Sequence, residues 1–386
     1  MRLLSKNLGA IYGNRFLIQT GFAVITVFLP TFFYLEFGES LAAVVAIYIA
    51  AFALHGLLTP LTAKLISRIG MRTNMIIALV PFLLLALTAL AFWDLAPSVA
   101  VGVFIVSWAV YRALYWVPYH VEVTTFLDQC HRGRQVSFFT NAVSAALVFA
   151  PLAGGFLIEN FSFSYAFALS IALMIASLVP LMFMRESHEE YSFGYLETFQ
   201  KLFSKKNRTL LIAFAGDGAQ NIVNVIFWPV FIYLIMNGDF AAVGIVSALV
   251  VLATLVLRFF AGEFIDKANK QHILLISSII YTTGWFLKIF TQSAVQIFLF
   301  DAYHQAGRAV HRVSFDAGTY EQSADNGHYV DEFTALKEIA MNIGRILMLA
   351  LGGLLAAVVG IQIAFFLAAG ASLLMVLLNR GIKVAV

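Results

Sequence analysis

The sequence predicts an all-α membrane protein with about twelve membrane-spanning helices in two six-helix repeats. Of its 386 residues, 61% are hydrophobic and only 12% are charged, a composition too apolar for a water-soluble domain of this length. Apolar segments recur along the whole chain, and each is close to the roughly 20 residues that a helix needs to cross the hydrocarbon. Short stretches of the first half also reappear in the second half.

The apolar segments emerge with a sliding window of about 19 residues. They lack the short alternating pattern of a transmembrane β-barrel, so the spans are predicted to be helical. In chain order they cover residues 14–36, 41–66, 73–93, 98–126, 135–158, 163–184, 209–237, 241–265, 272–292, 294–320, 331–359 and 361–379.

An internal repeat relates the two halves. Residues 30–35 recur as residues 229–234 at an offset of 199, and Arg112 corresponds to Arg308 at an offset of 196. Matches near one offset predict parallel halves, an architecture of transporters in which the substrate site lies near the midplane. We therefore expect an N-terminal six-helix bundle (1–184), a cytoplasmic linker (185–208) and a C-terminal six-helix bundle (209–386).

The charged loops predict the orientation. Lys and Arg concentrate in the loops on one side of the spans, so both termini are predicted to be cytoplasmic, in a bacterial inner (plasma) membrane. Lys288 is the lone basic residue near the opposite face. One basic-side loop is instead acidic, and its charges predict a solvated turn; they are Glu321, Asp325, Asp331 and Glu332.

Ionisable side chains inside the predicted spans mark a candidate functional site. Charges at bilayer depth are costly unless they face a bundle interior or a watery cavity. The fourth span holds Arg112, His120 and Glu122, and the tenth holds Asp301, His304, Arg308, His311 and Arg312. We expect Arg112 to be partnered by Glu122 or Asp217, since an unpaired buried cation is unfavourable.

Three local patterns resemble the major facilitator superfamily, and the resemblance covers nearly the whole chain. Residues 63–72, with Arg68, Gly70 and Arg72, resemble its signature between the second and third helices, although Ser67 replaces an Asp. The second copy keeps Asp266 and Lys267. This resemblance implies a gating role for these charges, whereas a loop that only fixes the topology remains the alternative.

The other two patterns lie inside spans. Arg112 resembles the family's buried arginine of the fourth helix, which implies a role in proton coupling. Residues 146–155 are similar to the Gly-rich signature of the family's antiporters and carry Pro151, Gly154 and Gly155. Small residues allow close helix contact and proline kinks a helix, so this span is predicted to act as a hinge and seal.

In this family the first, fourth, seventh and tenth spans line the central cavity. The polar and aromatic residues of these spans share helix faces, which independently predicts a cavity lining. The proton-coupling candidates are Arg112, Glu122, Asp217 and Asp301. The substrate-binding candidates are Tyr111, Tyr115, Trp116, Tyr119, His120, Gln220, Asn221, Asn224, Trp228, His304, Arg308, His311 and Arg312.

Other functional classes find little support in the sequence. Asp301, His304 and His311 have metal-ligand spacing, but the neighbouring Arg308 repels cations, so no metal is expected. Hydrolase and nucleotide-binding motifs are absent, so neither an enzyme nor an ATP-driven pump is predicted. No cofactor and no nucleic-acid partner is expected, and the chain is predicted to be a monomer in the lipid bilayer.

The function predicted from the sequence is secondary active transport by alternating access. Proton-coupled efflux of a small organic solute is the main hypothesis, with the proton gradient as energy source and substrate and proton competing for a carboxylate. One alternative is an organic-anion importer or exchanger with an Arg112/Arg308 clamp. Another is a non-transporting membrane receptor or assembly partner with a transporter-like fold.

Overall fold

The computed structural model describes residues 6–126, 147–188, 191–265, 270–325 and 330–378, and the regular structure in these ranges is helical. The first half contains α1 (Lys6–Thr26), α2 (Leu29–Glu36), α3 (Leu41–Ile69), α4 (Met71–Leu90), α5 (Pro97–Phe126), α6 (Leu147–Asn160), α7 (Phe163–Ala176) and α8 (Leu178–Met182). The linker holds α9 (Tyr195–Leu202). The second half contains α10 (Arg208–Ile222), α11 (Trp228–Ile235), α12 (Phe240–Ile265), α13 (Lys270–Ile289), α14 (Ala294–Asp325), α15 (Val330–Val359) and α16 (Ile363–Leu374).

The predicted all-α membrane fold is confirmed. Among the described residues, seven helical segments are long and apolar enough to cross a membrane, and three shorter apolar helices accompany them. The shorter ones cover Met71–Leu85, Leu147–Asn160 and Ile363–Leu377, where the third, fifth and twelfth spans are expected. The helices α13 and α14 stand at the positions of the ninth and tenth predicted spans.

The repeated proline interrupts the first and seventh spans at corresponding places. Pro30 lies in the first turn of α2, and Pro229 lies in the first turn of α11. A π-helical segment, Val223–Phe227, precedes Pro229. Proline lacks an N–H donor and its ring clashes with the preceding turn, so a continuous α-helix is broken there. The interruption of the α-helix therefore occurs at a proline that the two halves share.

The two halves pack against each other mainly through α3 and α15. Gly353 faces Val45, because a Cβ on Gly353 would lie 3.0 Å from the Val45 side chain. Further along the same pair, His55 hydrogen-bonds Asn342. Packing along the length of two helices from different halves holds the polar residues of both halves at one interface.

The linker runs beneath both halves and defines what we call the linker side of the molecule. The Ser187 carbonyl accepts a hydrogen bond from Met71 N at 2.9 Å, and Glu186 pairs with Arg72 at 3.6 Å. On the second half, Ser192 N and Oγ donate to Glu332 Oε1 at 2.8 and 2.6 Å. The linker thus hydrogen-bonds to both halves of the chain.

The acidic residues at the start of α15 differ from the sequence expectation. Asp331 and Glu332 are only 3% and 1% exposed, so the predicted solvated turn is wrong for these two. Glu332 is covered because it accepts the Ser192 donors of the linker. Burial beside these carboxylates raises the pKa of Tyr191 to about 12, which keeps its hydroxyl neutral.

Candidate functional site

Two arginines from different halves flank one phenylalanine at the centre of the interface. The guanidinium carbon of Arg112, on α5, lies 5.7 Å from the Phe52 ring centroid, and that of Arg345, on α15, lies 5.1 Å from it. Arg112 also lies over the rings of Trp108 and Trp116 at 5.9 and 5.5 Å. We call Arg112, Phe52 and Arg345 the interface arginine site.

The partner expected for Arg112 is not found among the described carboxylates. Arg112 forms no ion pair with any of them, and its Nε is buried without a hydrogen-bond partner. Asp217 is paired elsewhere. Glu122 accepts a hydrogen bond from Ser187 Oγ on the linker side. The two expected pairs, Arg112 with Glu122 and Arg112 with Asp217, are therefore not formed in this structure.

A hydrogen-bond chain across the interface fixes the protonated nitrogen of His55. Arg345 Nη1 donates to Asn342 Oδ1 at 2.6 Å, and the Asn342 amide nitrogen lies 2.9 Å from His55 Nδ1. Because arginine only donates, the Asn342 oxygen must face it and the amide N–H donates to Nδ1. A neutral His55 then carries its proton on Nε2, a buried atom with no hydrogen-bond partner.

The second cluster joins the seventh and tenth spans inside the C-terminal half. The side chain of Asp217, on α10, is fully buried and accepts from Arg312 Nη1, on α14, at 3.0 and 2.9 Å. Gln220 donates to Asp217 Oδ1 at 2.9 Å, and the Tyr281 hydroxyl donates to Gln220. The Arg312 side chain is 35% exposed, so solvent can approach the pair from the arginine side.

Histidines of the tenth span pack on this cluster. The rings of His304 and His311 lie 4.8 and 5.4 Å from Tyr281. Arg308 donates to Gln305 at 3.5 Å on its own helix. Arg308 and Lys337 also interact electrostatically with Asp217, so several cations surround one carboxylate.

The third cluster contains a buried cation, Lys288, which was expected near the face opposite the basic loops and was not predicted to pair with a carboxylate. Lys288 is 0% exposed and pairs with Asp301 at 2.8 Å. Trp228 Nε1 donates to Asp301 at 3.0 Å, and Lys288 donates to Asn224 at 3.2 Å. Lys288 lies in the last turn of α13, and there it neutralises a candidate coupling residue, Asp301. A lone lysine in an apolar span was the available signal.

Aromatic rings stack along one face of α5, where Tyr111 packs on Phe22 and Phe82 of the same half. Tyr111, Tyr115 and Tyr119 stack in sequence at 5.5 and 5.8 Å, as their helical spacing predicts. Trp116 stacks on His120 at 5.5 Å. Arg15, which the sequence analysis used only for orientation, lies over Trp116 at 4.4 Å. The predicted aromatic lining of the fourth span is brought together, whereas Asn221 is only partly buried on α10.

The predicted gating residues fall into two groups. Gly154 and Gly155 lie at close helix contacts, because a Cβ on Gly155 would lie 2.5 Å from the Phe240 carbonyl of α12. A Cβ on Gly244 would likewise lie 2.6 Å from the Pro151 carbonyl. In the loop signature Arg72 pairs with Glu186, Gly70 adopts a positive φ of 84°, and Arg68 is exposed. Asp266 and Lys267 lie outside the described residues.

A small cavity is present away from the polar clusters. Its volume is about 30 Å³, and its lining is almost entirely apolar, with Phe32, Phe82 and Phe104 among the contributors. These residues belong to the first half of the chain. The polar clusters lie elsewhere in the fold, so this cavity does not connect the residues that were predicted to bind the solute or the proton.

A comparison with models of protein families supplies the identity of the fold. The model described as the Major Facilitator Superfamily matches residues 11–300 of the chain, which is more than half of its length. No curated protein matches the sequence at a significant level. The matched region includes α2–α13 completely and the interruptions at Pro30 and Pro229. This chain belongs to the Major Facilitator Superfamily, a family of secondary transporters of small solutes.

Proposed function

We propose that the protein couples proton movement to the export of a small organic solute by alternating access. The observation that carries the proposal is the Asp217–Arg312 pair, which joins the seventh and tenth spans at 2.9 Å. An ion pair holds a carboxylate in its charged form, and separation from the cation favours protonation. A movement of α14 relative to α10 would therefore take up or release one proton.

Asp217 is a better coupling residue than the other two candidate carboxylates. Asp301 is paired with Lys288, and the two side chains are only 9% and 0% exposed, so solvent has little access to that pair. Glu122 receives Ser187 of the linker. Arg312 is partly exposed, and His120 of the first half interacts electrostatically with both Arg312 and Lys337. Asp217 is therefore a buried carboxylate whose partner is accessible, which the other two candidates lack.

The close packing of α6 against α12 supports export. Gly155 and Gly244 bring the two backbones together, and Pro151 lies at the same contact. A close, rigid contact between helices of different halves can serve as the seal that separates the two access states. We further propose that both termini are cytoplasmic, that the membrane is a bacterial inner membrane, and that one chain is the transporting unit.

The second candidate function is an organic-anion importer or exchanger with an Arg112/Arg308 clamp. The absence of a described ion-pair partner for Arg112 favours an anionic ligand. Arg308, the cation that the second half contributes to this clamp, is only partly buried on α14. Protons move with the solute in a symporting importer and against it in an antiporting exporter, so one reconstituted system distinguishes the two functions.

Flux in proteoliposomes under an imposed pH gradient tests these functions. Export coupled to protons predicts that solute moving one way drives protons the other way, and that Asp217→Asn reduces this exchange while solute binding persists. Symport of solute with protons would support the importer instead. If no solute of a broad panel is transported and no proton flux is observed, both transport functions are excluded and a receptor role remains.

A further inference from the structure

The interface arginine site has the features of a binding site for an organic anion. We propose that Arg112, Arg345 and His55 bind the carboxylate of the transported solute, while Phe52 and neighbouring tryptophans hold its apolar body. The assignment of this ligand as cargo rests on the proposed transport function. Binding of the carboxylate does not, because a site can hold its ligand whether or not the protein moves it.

The interface arginine site carries more positive than negative charge. Both guanidinium carbons lie within 6 Å of the Phe52 centroid, so the two cations are at most about 11 Å apart. The nearest described carboxylate is Glu338, 3.9 Å from Arg345. One carboxylate therefore faces two cations. Excess charge in a low-dielectric interface is costly, and an anionic ligand would offset it.

The site also contains two buried hydrogen-bond donors without a partner. Arg112 Nε and His55 Nε2 are both buried and have no hydrogen-bond partner. The Asn342 chain orients His55 so that its Nε2 carries the proton. Buried donors are normally satisfied in proteins, and those left over mark a place for a ligand or an ion. Charge-assisted hydrogen bonds from guanidinium groups favour a carboxylate there.

Aromatic rings surround the guanidinium group of Arg112. Arg112 lies between the rings of Phe52, Trp108 and Trp116, all within 6 Å of its guanidinium carbon. Trp108 Nε1 is a further buried donor without a partner. Apolar walls with a few polar groups are typical of sites for small organic molecules rather than inorganic ions. The ligand class is therefore a carboxylate attached to a flat or apolar body.

This site differs from the clamp predicted from the repeat. Arg308 is the repeat-related counterpart of Arg112, but it contacts Gln305 of its own helix. Arg345 has no counterpart in the repeat comparison, yet it shares the Phe52 ring with Arg112. A ligand bound between Arg112 and Arg345 bridges α5 of one half and α15 of the other.

Calorimetric titration of the full-length protein in detergent tests the site. The probes are benzoate and 3-phenylpropionate, with benzamide and 3-phenylpropionamide as neutral analogues and benzylamine as a cation. We expect the carboxylates to bind at least about tenfold more tightly than their amides, since charge-assisted hydrogen bonds are replaced by neutral ones. Equal or tighter binding of the amides, or no binding of the carboxylates, would overturn the proposal.

Variants that are expected to change the Kd in opposite directions distinguish a binding role of these residues from a structural one. Arg112→Gln and Arg345→Gln should each raise the Kd for the carboxylates at least about tenfold. Glu338→Gln should lower the Kd, because it removes the anion that competes for Arg345. Lys64→Gln, an exposed site on α3, should leave the Kd unchanged. If Glu338→Gln weakens binding as Arg345→Gln does, the effect is structural and the proposal fails.

Further measurements distinguish loss of binding from misfolding, and failure of the site from failure of the transport function. Thermal unfolding without ligand identifies variants that are simply misfolded, and Arg345→Lys, which keeps the charge, should retain part of the carboxylate binding. In proteoliposomes, carboxylate binding without any flux would reject the proposed function and leave the site intact. Flux of neutral solutes without preference for carboxylates would reject the site and leave the transport function intact.

Discussion

At the scale of single residues, the Lys288–Asp301 pair shows why a buried charge depends on its partner. Removing one member leaves the other desolvated without compensation, which typically costs about 3–5 kcal/mol. Lys288 has further contacts with the rings of Trp228 and Trp285 at 4.2 and 4.7 Å. These contacts fix the cation close to the segment before α11, so the pair stabilises the broken seventh span.

Lys288→Met is therefore expected to lower the stability of the protein substantially, by up to about 3–5 kcal/mol. The double variant Lys288→Met/Asp301→Asn should recover most of that loss, since it leaves no unpaired buried charge. Thermal unfolding in detergent measures both. A single variant as stable as the unmodified protein would contradict a structural role for the pair.

At the scale of helices, the contact between α6 and α12 depends on residues without side chains. A Cβ on Gly155 would lie 2.5 Å from the Phe240 carbonyl, whereas a Cβ on Gly102 of α5 would have no atom within 4 Å. Gly155→Ala must therefore separate the two helices, and Gly102→Ala need not move anything. The two substitutions are chemically identical, which makes them a matched pair.

We expect Gly155→Ala to destabilise the protein by about 1–3 kcal/mol and to reduce solute flux, because the helices no longer close. Gly102→Ala should leave flux unchanged. Flux in proteoliposomes and thermal unfolding provide the measurements. Similar flux in both variants would show that this contact is not part of the transport cycle.

The linker is the second element with a testable role. Glu332→Gln weakens the two hydrogen bonds from Ser192 at 2.8 and 2.6 Å, since bonds to a charged acceptor are stronger than bonds to a neutral one. Hydrogen exchange of residues 191–202 should become faster. Lys205→Gln, an exposed site in the same linker, should not change it. Unchanged exchange in Glu332→Gln would mean that other contacts hold the linker.

At the scale of the whole molecule, the sequence was sufficient for the fold but not for the partners of its charges. Hydropathy and the repeat predicted the helices, and Pro30 and Pro229 show that the interruptions of the first and seventh spans also repeat. Helical spacing predicted that Tyr111, Tyr115 and Tyr119 share a face. Which residues share a face of one helix depends only on their spacing in the sequence, so it can be predicted without knowing how the helices pack.

Ion pairs between helices are harder to predict from the sequence, because they depend on how each helix is rotated about its axis and shifted along it relative to its neighbours. Arg112 was expected to pair with Glu122 or Asp217, yet Asp217 pairs with Arg312. Arg345 and His55 were not among the predicted site residues, because their spans are mainly apolar. Only the packing of α3 on α15 brings these residues to the interface arginine site.

The central claim is that protonation of Asp217 couples the proton gradient to solute movement, and counterflow in proteoliposomes tests it most directly. Asp217→Asn removes the titratable group but keeps an amide that can hydrogen-bond. We predict that the variant still exchanges solute for solute and no longer accumulates solute when a pH gradient is imposed. Gradient-driven accumulation by Asp217→Asn equal to that of the unmodified protein would contradict the account.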